Sequence, residues 1–262
     1  MKRAARGKQL TNPDNRLFAA IDLPAALGLL TRLPVPVDGA AATARGAAAV
    51  WAYPLAGMVV GGVQALVMAV LVWLGVPAAI TAALVLALAV SMTGAMHEDG
   101  LADSVDGLWG GWDKTRRLAI MKDSHIGTYG VIALVLTLVL RWAALGMIAG
   151  AGGFALALVV VAALSRAAMV GVMAALPHAR EDGLSRAVGR PAPRVAWVAV
   201  GIGAGLAFVT GYLGLVMVAA TVAVLWAMIA RAKIGGQTGD ILGATQQWVE
   251  VALLIAVVAA LD

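Results

Sequence analysis

Within eleven consecutive positions the chain gathers four of its fourteen acidic residues: His97-Glu98-Asp99-Gly100-Leu101-Ala102-Asp103-Ser104-Val105-Asp106-Gly107. Asp99, Asp103 and Asp106 stand at i, i+4 and i+7. On a helix, at about 100° per residue, their carboxylates share a sector of roughly 60°. Like charges held that close repel one another unless a cation lies among them. Hard carboxylate oxygens suit Mg²⁺, Mn²⁺ or Ca²⁺, and Mg²⁺ usually combines one or two carboxylates with substrate phosphate oxygens. A solvated acidic loop is the plain alternative for such a cluster. This one closes an apolar span and is bracketed by glycines, which favours a metal site with Asp99, Asp103 and Asp106 as ligands.

The other polar residues suit an anionic substrate. Asp113 is a good N-cap for a short helix carrying Arg116 and Arg117, followed by Lys122, Asp123 and His125. Arginine binds phosphate bidentately and lysine as a point charge, although Arg116 and Arg117 read equally well as membrane-surface anchors. Lys122 and Asp123 fall closer to the membrane and are assigned site roles. His97 and His125 read equally as structural hydrogen-bonding groups or as acid–base groups. Arg166 falls near the middle of an apolar run, where a charge costs at least about 2.5–3.5 kcal/mol, so it is expected to face an acid or a substrate phosphate. Arg141 is similar, with snorkelling to the outer interface as its alternative. In Gly235-Gly236-Gln237-Thr238-Gly239-Asp240, glycines around Thr238 let backbone N–H groups approach an anion, and Asp240 offers a further ligand. A glycine-rich turn between helices is the plainer reading there. No Gly-Lys-Ser/Thr ending follows, so this is not a P-loop. Arg180, within a mixed-charge stretch, completes the set.

These residues sit on an apolar framework. The chain is 62% hydrophobic and 13% charged, against roughly 45–50% and about 25% for soluble domains, which indicates an integral membrane protein. There is no cysteine, which excludes disulfides, thiolate nucleophiles and cysteine-based metal sites. Three scattered histidines disfavour an all-histidine zinc centre. Seven apolar segments are expected to span: 48–74, 78–94, 129–149, 154–176, 195–212, 215–230 and 248–261. Residues 17–37, broken by Pro24, Pro34 and Pro36, predict an amphipathic or re-entrant segment. Short connections are expected at 75–77, 150–153 and 213–214. Seventeen of the nineteen Lys and Arg residues lie in the N-terminal region or in the stretches 95–128, 177–194 and 231–247. The positive-inside rule then puts the N-terminus and these stretches in the cytoplasm and Asp262 outside. The net charge of +5 reflects this topology and not nucleic-acid binding. Neither a cleavable signal peptide nor an internal repeat is apparent. The chain thus reads as an all-α, polytopic inner-membrane protein with about seven transmembrane helices contacting membrane lipid. Residues 1–20 form a basic extension and residues 21–262 a single membrane-embedded domain; oligomeric state is not legible.

The order of motifs resembles the cobalamin synthase family of adenosylcobinamide-GDP ribazoletransferases. The likeness is most specific at His97–Gly107, where the family pattern reads His-x-Asp-Gly-Leu-Ala-Asp-x-x-Asp-Gly. It continues at Ile120–Gly130, Ser165-Arg166, Ala179–Leu184 and Gly235–Ala244, with Thr31-Arg32-Leu33-Pro34 near the start. It covers about residue 27 to the end. Gln237 departs from the residue expected there, and Glu98 fills a variable position. The resemblance implies Mg²⁺-dependent attack of the 3′-hydroxyl of α-ribazole, or of its 5′-phosphate, on adenosylcobinamide-GDP with release of GMP. Asp99, Asp103 and Asp106 would hold Mg²⁺. Asp240 would add a ligand or orient the hydroxyl, and a carboxylate, or failing that His97, would take its proton. Lys122, Asp123, Arg166, Arg180 and Thr238 are the expected substrate contacts, around a cavity large enough for a corrinoid.

Two other classes fit less well. A CDP-alcohol phosphotransferase needs Asp-Gly-x-x-Ala-Arg and a later Gly-x-x-x-Asp-x-x-x-Asp; here Asp103 follows Ala102 and the second half is missing. An ion-coupled transporter would place its acids at the bilayer midplane, not at one face.

Overall fold

The computed structural model describes residues 16–152 and 155–261. Most of the basic extension, the Gly153 and Phe154 parts of one expected turn and span, and Asp262 lie outside the described residues. The fold is all-α. The N-terminal part comprises α1 (Asp22–Leu30), α2 (Gly39–Arg45), a 3₁₀ segment (Gly46–Ala52) and α3 (Tyr53–Trp73). Then come α4 (Ala78–Thr93), α5 (Met96–Gly110), α6 (Lys114–Ile120), α7 (Thr128–Ala151) and α8 (Ala155–Ala175). The chain continues through α9 (Leu184–Val188), α10 (Pro193–Val209), α11 (Gly214–Ile234) and α12 (Gly239–Val258).

Among the described residues five helical stretches are long and apolar enough, by length and composition, to cross a membrane: Gly39–Trp73, which includes α3, and α7, α8, α11 and α12. The expected seven reduce to five or six for two local reasons. α10 is only 17 residues long. α4, with 16 residues, meets α5 across an 85° bend, and the two pass as a span only when taken together. The bend comes from two successive left-handed residues, Gly94 (φ +63°) and Ala95 (φ +57°). Glycine tolerates this conformation, whereas alanine holds it only against a steric cost. Gly94 also gives room to Arg32, whose side chain would meet an added Cβ at 2.4 Å.

α8 and α12 form the centre. They bury 78% and 72% of their apolar windows, against no more than 33% for the other three spanning stretches. α8 packs on α3, α10, α11 and α12. It approaches α3 closely because Gly57 and Gly61 present bare backbone, where a Cβ would lie 2.3 and 2.5 Å from Ala162 O and Leu158 O. Small residues four apart allow such backbone contact between membrane helices, where dispersion replaces the hydrophobic drive.

A charged network ties α5, α7 and α12 together inside this core. Arg141 binds Glu98 (2.7 Å), Glu250 (2.8 Å) and Gln247 (3.0 Å). Gln247 donates in turn to Glu98 (3.2 Å), and Gln246 donates to Glu250. Arg141 is therefore paired in the core; the snorkelling alternative does not hold. At the N-terminal end the same device recurs on a smaller scale. Buried Asp22 accepts from Arg45 Nε and Nη2 (2.7 Å each) and from Trp51 Nε1 (2.8 Å), fixing α1 against the 3₁₀ segment.

Candidate active site

Two helices crossing at glycines create the site. A Cβ on Gly100 of α5 would stand 3.0 Å from Asp240 O and 3.3 Å from Gly243 Cα of α12. Only bare backbone lets α5 and α12 approach this closely. The crossing brings Asp99 and Asp103 towards Asp240, 137 positions after Asp103 in the chain. Asp103 feels the negative charges of Asp99, Asp240 and Asp106, countered by Arg180. Arg180 Nη2 lies 3.3 Å from Asp240 Oδ2. Thr238 caps α12, accepting from Ile241 N–H (3.2 Å), and donates to Asp240 Oδ2 (3.1 Å).

Arg180 reaches this place because two polar stretches are pinned together. Gln237 N–H donates to Pro177 O (2.8 Å) and Ala179 N–H donates to Gln237 O (2.9 Å), a short parallel bridge. The Gln237 side chain, 1% exposed, meets His178 Nδ1 (3.0 Å) and accepts from Ser185 Oγ. Gly236 permits the approach, since a Cβ there would collide with Pro177 O at 2.2 Å. Arg180 keeps its Nε and Nη1 buried without a hydrogen-bond partner among the described residues. Such donors suit an incoming phosphate oxygen.

Asp99, Asp240 and Arg180 line one cavity of about 220 Å³, together with His97, Tyr53 and apolar side chains from α1, α8 and α9. That is below the roughly 300–1,000 Å³ of pockets that enclose drug-sized ligands. The cavity takes one ring system and a phosphate at its rim. This cavity is smaller than the corrinoid-sized one expected.

The model of the cobalamin-5-phosphate synthase family matches residues 22–258. The chain belongs to that family. Its relatives include proteins named adenosylcobinamide-GDP ribazoletransferase. The one from Bradyrhizobium diazoefficiens is 43% identical, over 91% of this chain and 93% of its own length. Those from Sinorhizobium medicae and Brucella anthropi are 42% and 43% identical, over 92% and 90% of this chain and 97% and 95% of theirs. No solved structure matches.

The structure distributes the motif residues of this family member unevenly. Asp106 lies on α5 but faces α7: its Oδ2 accepts from Gly127 N–H (2.7 Å) and its Oδ1 from Gly130 N–H (2.9 Å). Both glycines are needed for this, because a Cβ on either would fall within 2.5 Å of the carboxylate. The Asp99–Asp103–Asp106 set is thus not a ready-made cage. Among the described residues no three His, Asp or Glu side chains converge closely enough to hold a metal ion by themselves. Lys122 pairs with exposed Asp182, and Asp123 accepts from the His125 backbone (3.1 Å) and contacts its Nδ1 (2.7 Å). Hydrogen bonding from His125 holds the exposed Asp123 carboxyl below its ordinary range. Neither Lys122 nor Asp123 lines the cavity. Nor does Arg166: it is 1% exposed within α8, and its Nη1 donates to Ala162 O (3.1 Å). Arg117 is spent on Gly111 O and Lys233 O, which docks α6 on α11. Asp113 caps α6 as expected, accepting from Arg116 N–H (3.0 Å). Sequence reasoning missed the pinning role of Gln237; its only signal was a buried-type amide between glycines.

Proposed function

We propose that this protein joins α-ribazole, or its 5′-phosphate, to adenosylcobinamide-GDP and releases GMP. The observation that carries this reading is Asp99, Asp240 and Arg180 lining one cavity: acid oxygens for a divalent cation, and a guanidinium whose Nε and Nη1, though Nε is 3.7 Å from Asp182 Oδ1, make no hydrogen bond among the described residues and suit phosphate. The names of the relatives supply the substrates.

One or two of the carboxylates of Asp99, Asp103 and Asp240 would hold Mg²⁺, an all-oxygen donor set of the kind this ion takes, with substrate phosphate oxygens completing the shell. Asp103 is part-buried and beside the like charges of Asp99, Asp240 and Asp106, and a cation among them would offset that cost. When bound, Mg²⁺ neutralises charge on the diphosphate oxygens. Arg180 binds and orients the phosphate next to the cobinamide. The ribazole 3′-oxygen forms a bond to that phosphorus. The bond from phosphorus to the bridging oxygen breaks, and GMP leaves with the electron pair. A carboxylate of the Asp99–Asp103–Asp240 group accepts the hydroxyl proton. Asp106 acts from behind by holding α7 to α5. The site opens to the cytoplasm, where the basic stretches place it on the inner membrane.

The test uses detergent-purified protein with adenosylcobinamide-GDP, α-ribazole and Mg²⁺, followed by chromatography of GMP and corrinoid product. GMP and cobalamin appearing together, with EDTA abolishing both, is the expected result. Consumption of a CDP-alcohol with these substrates untouched would replace this reading by a lipid synthase.

A further inference from the structure

The cavity beside the carboxylates has more to it than a phosphate rim. Much of its lining is apolar: Leu29 and Leu30 of α1, Met96 of α5, Met169 and Met173 of α8, and Val188 of α9, with Tyr53 and Ser185 among them. Set in that lining is His97, 1% exposed, with its Nε2 buried and unpartnered among the described residues. An unpaired buried polar group costs about 1–3 kcal/mol. A ligand that suits this cavity is therefore apolar over most of its surface and offers one hydrogen-bonding atom to the imidazole.

Resting on the function proposed above, we infer that the cavity binds the 5,6-dimethylbenzimidazole base of α-ribazole, with His97 meeting the ring nitrogen not bonded to ribose. Three parts of the two substrates compete for the space. A corrin macrocycle is too wide for about 220 Å³. Guanine carries hydrogen-bonding groups along both edges, and beside the Leu, Met and Val side chains only His97, Tyr53 and Ser185 are at hand away from the charged residues, a poor match for so polar a base. Dimethylbenzimidazole is flat and methylated, and it has one free ring nitrogen, an acceptor. A neutral imidazole N–H donates to that atom. Methionine thioethers adapt to a flat ring and make favourable sulfur–aromatic contacts, and two of them, Met169 and Met173, stand one turn apart on α8. Because Asp99, Asp240 and Arg180 line the same cavity, a base held against its apolar residues keeps its ribose near the carboxylates, where the 3′-oxygen has to react. The pocket then does two tasks: it positions the nucleophile and it selects an apolar lower-ligand base.

Steady-state kinetics on the full chain in detergent, varying each substrate in turn, test this. Met169→Trp fills the pocket and is expected to raise KM for α-ribazole by about tenfold or more, while KM for adenosylcobinamide-GDP stays within about twofold. Because a tryptophan there can also disturb folding, the wild-type protein carries the second arm. Free 5,6-dimethylbenzimidazole should inhibit competitively against α-ribazole and not against adenosylcobinamide-GDP. α-Adenosine, with its polar purine, should be used with kcat/KM about tenfold or more below that of α-ribazole. Inhibition competitive with adenosylcobinamide-GDP, no inhibition at all, or a Met169→Trp effect confined to the corrinoid substrate overturns the base assignment and leaves the transferase intact. Wild-type protein that consumes neither substrate overturns the transferase reading, and the occupant with it.

Discussion

Asp103 and Asp106 lie on one helix three positions apart, and their surroundings divide the work between them. Asp103 is half-buried among like charges, whereas both oxygens of Asp106 are taken by the Gly127 and Gly130 N–H groups. Their amide variants should therefore fail differently. Asp103→Asn removes a charge that opposes a cation; kcat should fall about 10²-fold or more with the melting temperature in detergent unchanged. Asp106→Asn exchanges one acceptor for a donor at a helix N-terminus, costing about 1–2 kcal/mol of stability, read as a lower melting temperature. It should keep Mg²⁺-dependent turnover. If Asp106→Asn is as dead as Asp103→Asn while melting normally, Asp106 is a ligand and the division drawn here is wrong. Arg180→Lys keeps a charge but loses the planar fork, so turnover should drop with the KM for adenosylcobinamide-GDP rising, and Arg180→Ala should be worse on both counts.

Between elements, the contact that matters most is the short bridge joining the stretch after α8 to the turn before α12. Gln237→Ala deletes the side-chain bonds to His178 and Ser185 but leaves the backbone bridge. Arg180 would then be held less firmly against Asp240. The expected outcome is a loss in kcat/KM of about tenfold, shown by steady-state assay, with the Mg²⁺ concentration dependence unaltered. The α3–α8 contact behaves differently. Gly61→Val drives two methyls into the Leu158 carbonyl region, where backbone cannot yield. It should lower the yield of folded protein on size-exclusion chromatography, whatever substrate is added.

At the scale of the molecule, the Arg141–Glu98–Glu250 network crosses three helices directly behind the active-site turn. Arg141→Met would leave the buried Glu98 and Glu250 carboxylates without their arginine, at a cost of about 3–5 kcal/mol, detectable as a large fall in thermal stability. Orientation is open to an equally direct measurement, because the chain has no cysteine to remove first. Trp112→Cys, at a residue 93% exposed next to α6, should react with an impermeant maleimide only from the cytoplasmic side. Leu213→Cys, in the short turn between α10 and α11, should react only from the other side. Labelling in the reverse sense overturns the charge-based topology.

Composition and period alone determined the class of fold, the all-α membrane architecture and the approximate bounds of most apolar helices, because burial in lipid forces long apolar runs, though α12 begins at Gly239 and not at 248. The acidic stretch was equally legible, as was the capping of α6 by Asp113. Three matters were decided only in three dimensions. Local spacing grouped Asp106 with Asp99 and Asp103; only the fold shows its carboxylate accepting from the Gly127 and Gly130 N–H groups at the start of α7. Arg166 and Arg141 could be seen as costly charges, but the Glu98, Glu250 and Gln247 side chains that bind Arg141 lie on other helices, at separations no local pattern encodes, while Arg166 donates to Ala162 O of its own helix. Asp240 and Arg180 meet the α5 carboxylates because Gly100 and Gly243 let two backbones touch and Gln237 ties two distant stretches together. Residue type and periodicity act over one or two turns of helix; the active site is a product of helix crossings, which depend on which surfaces have no side chain in the way.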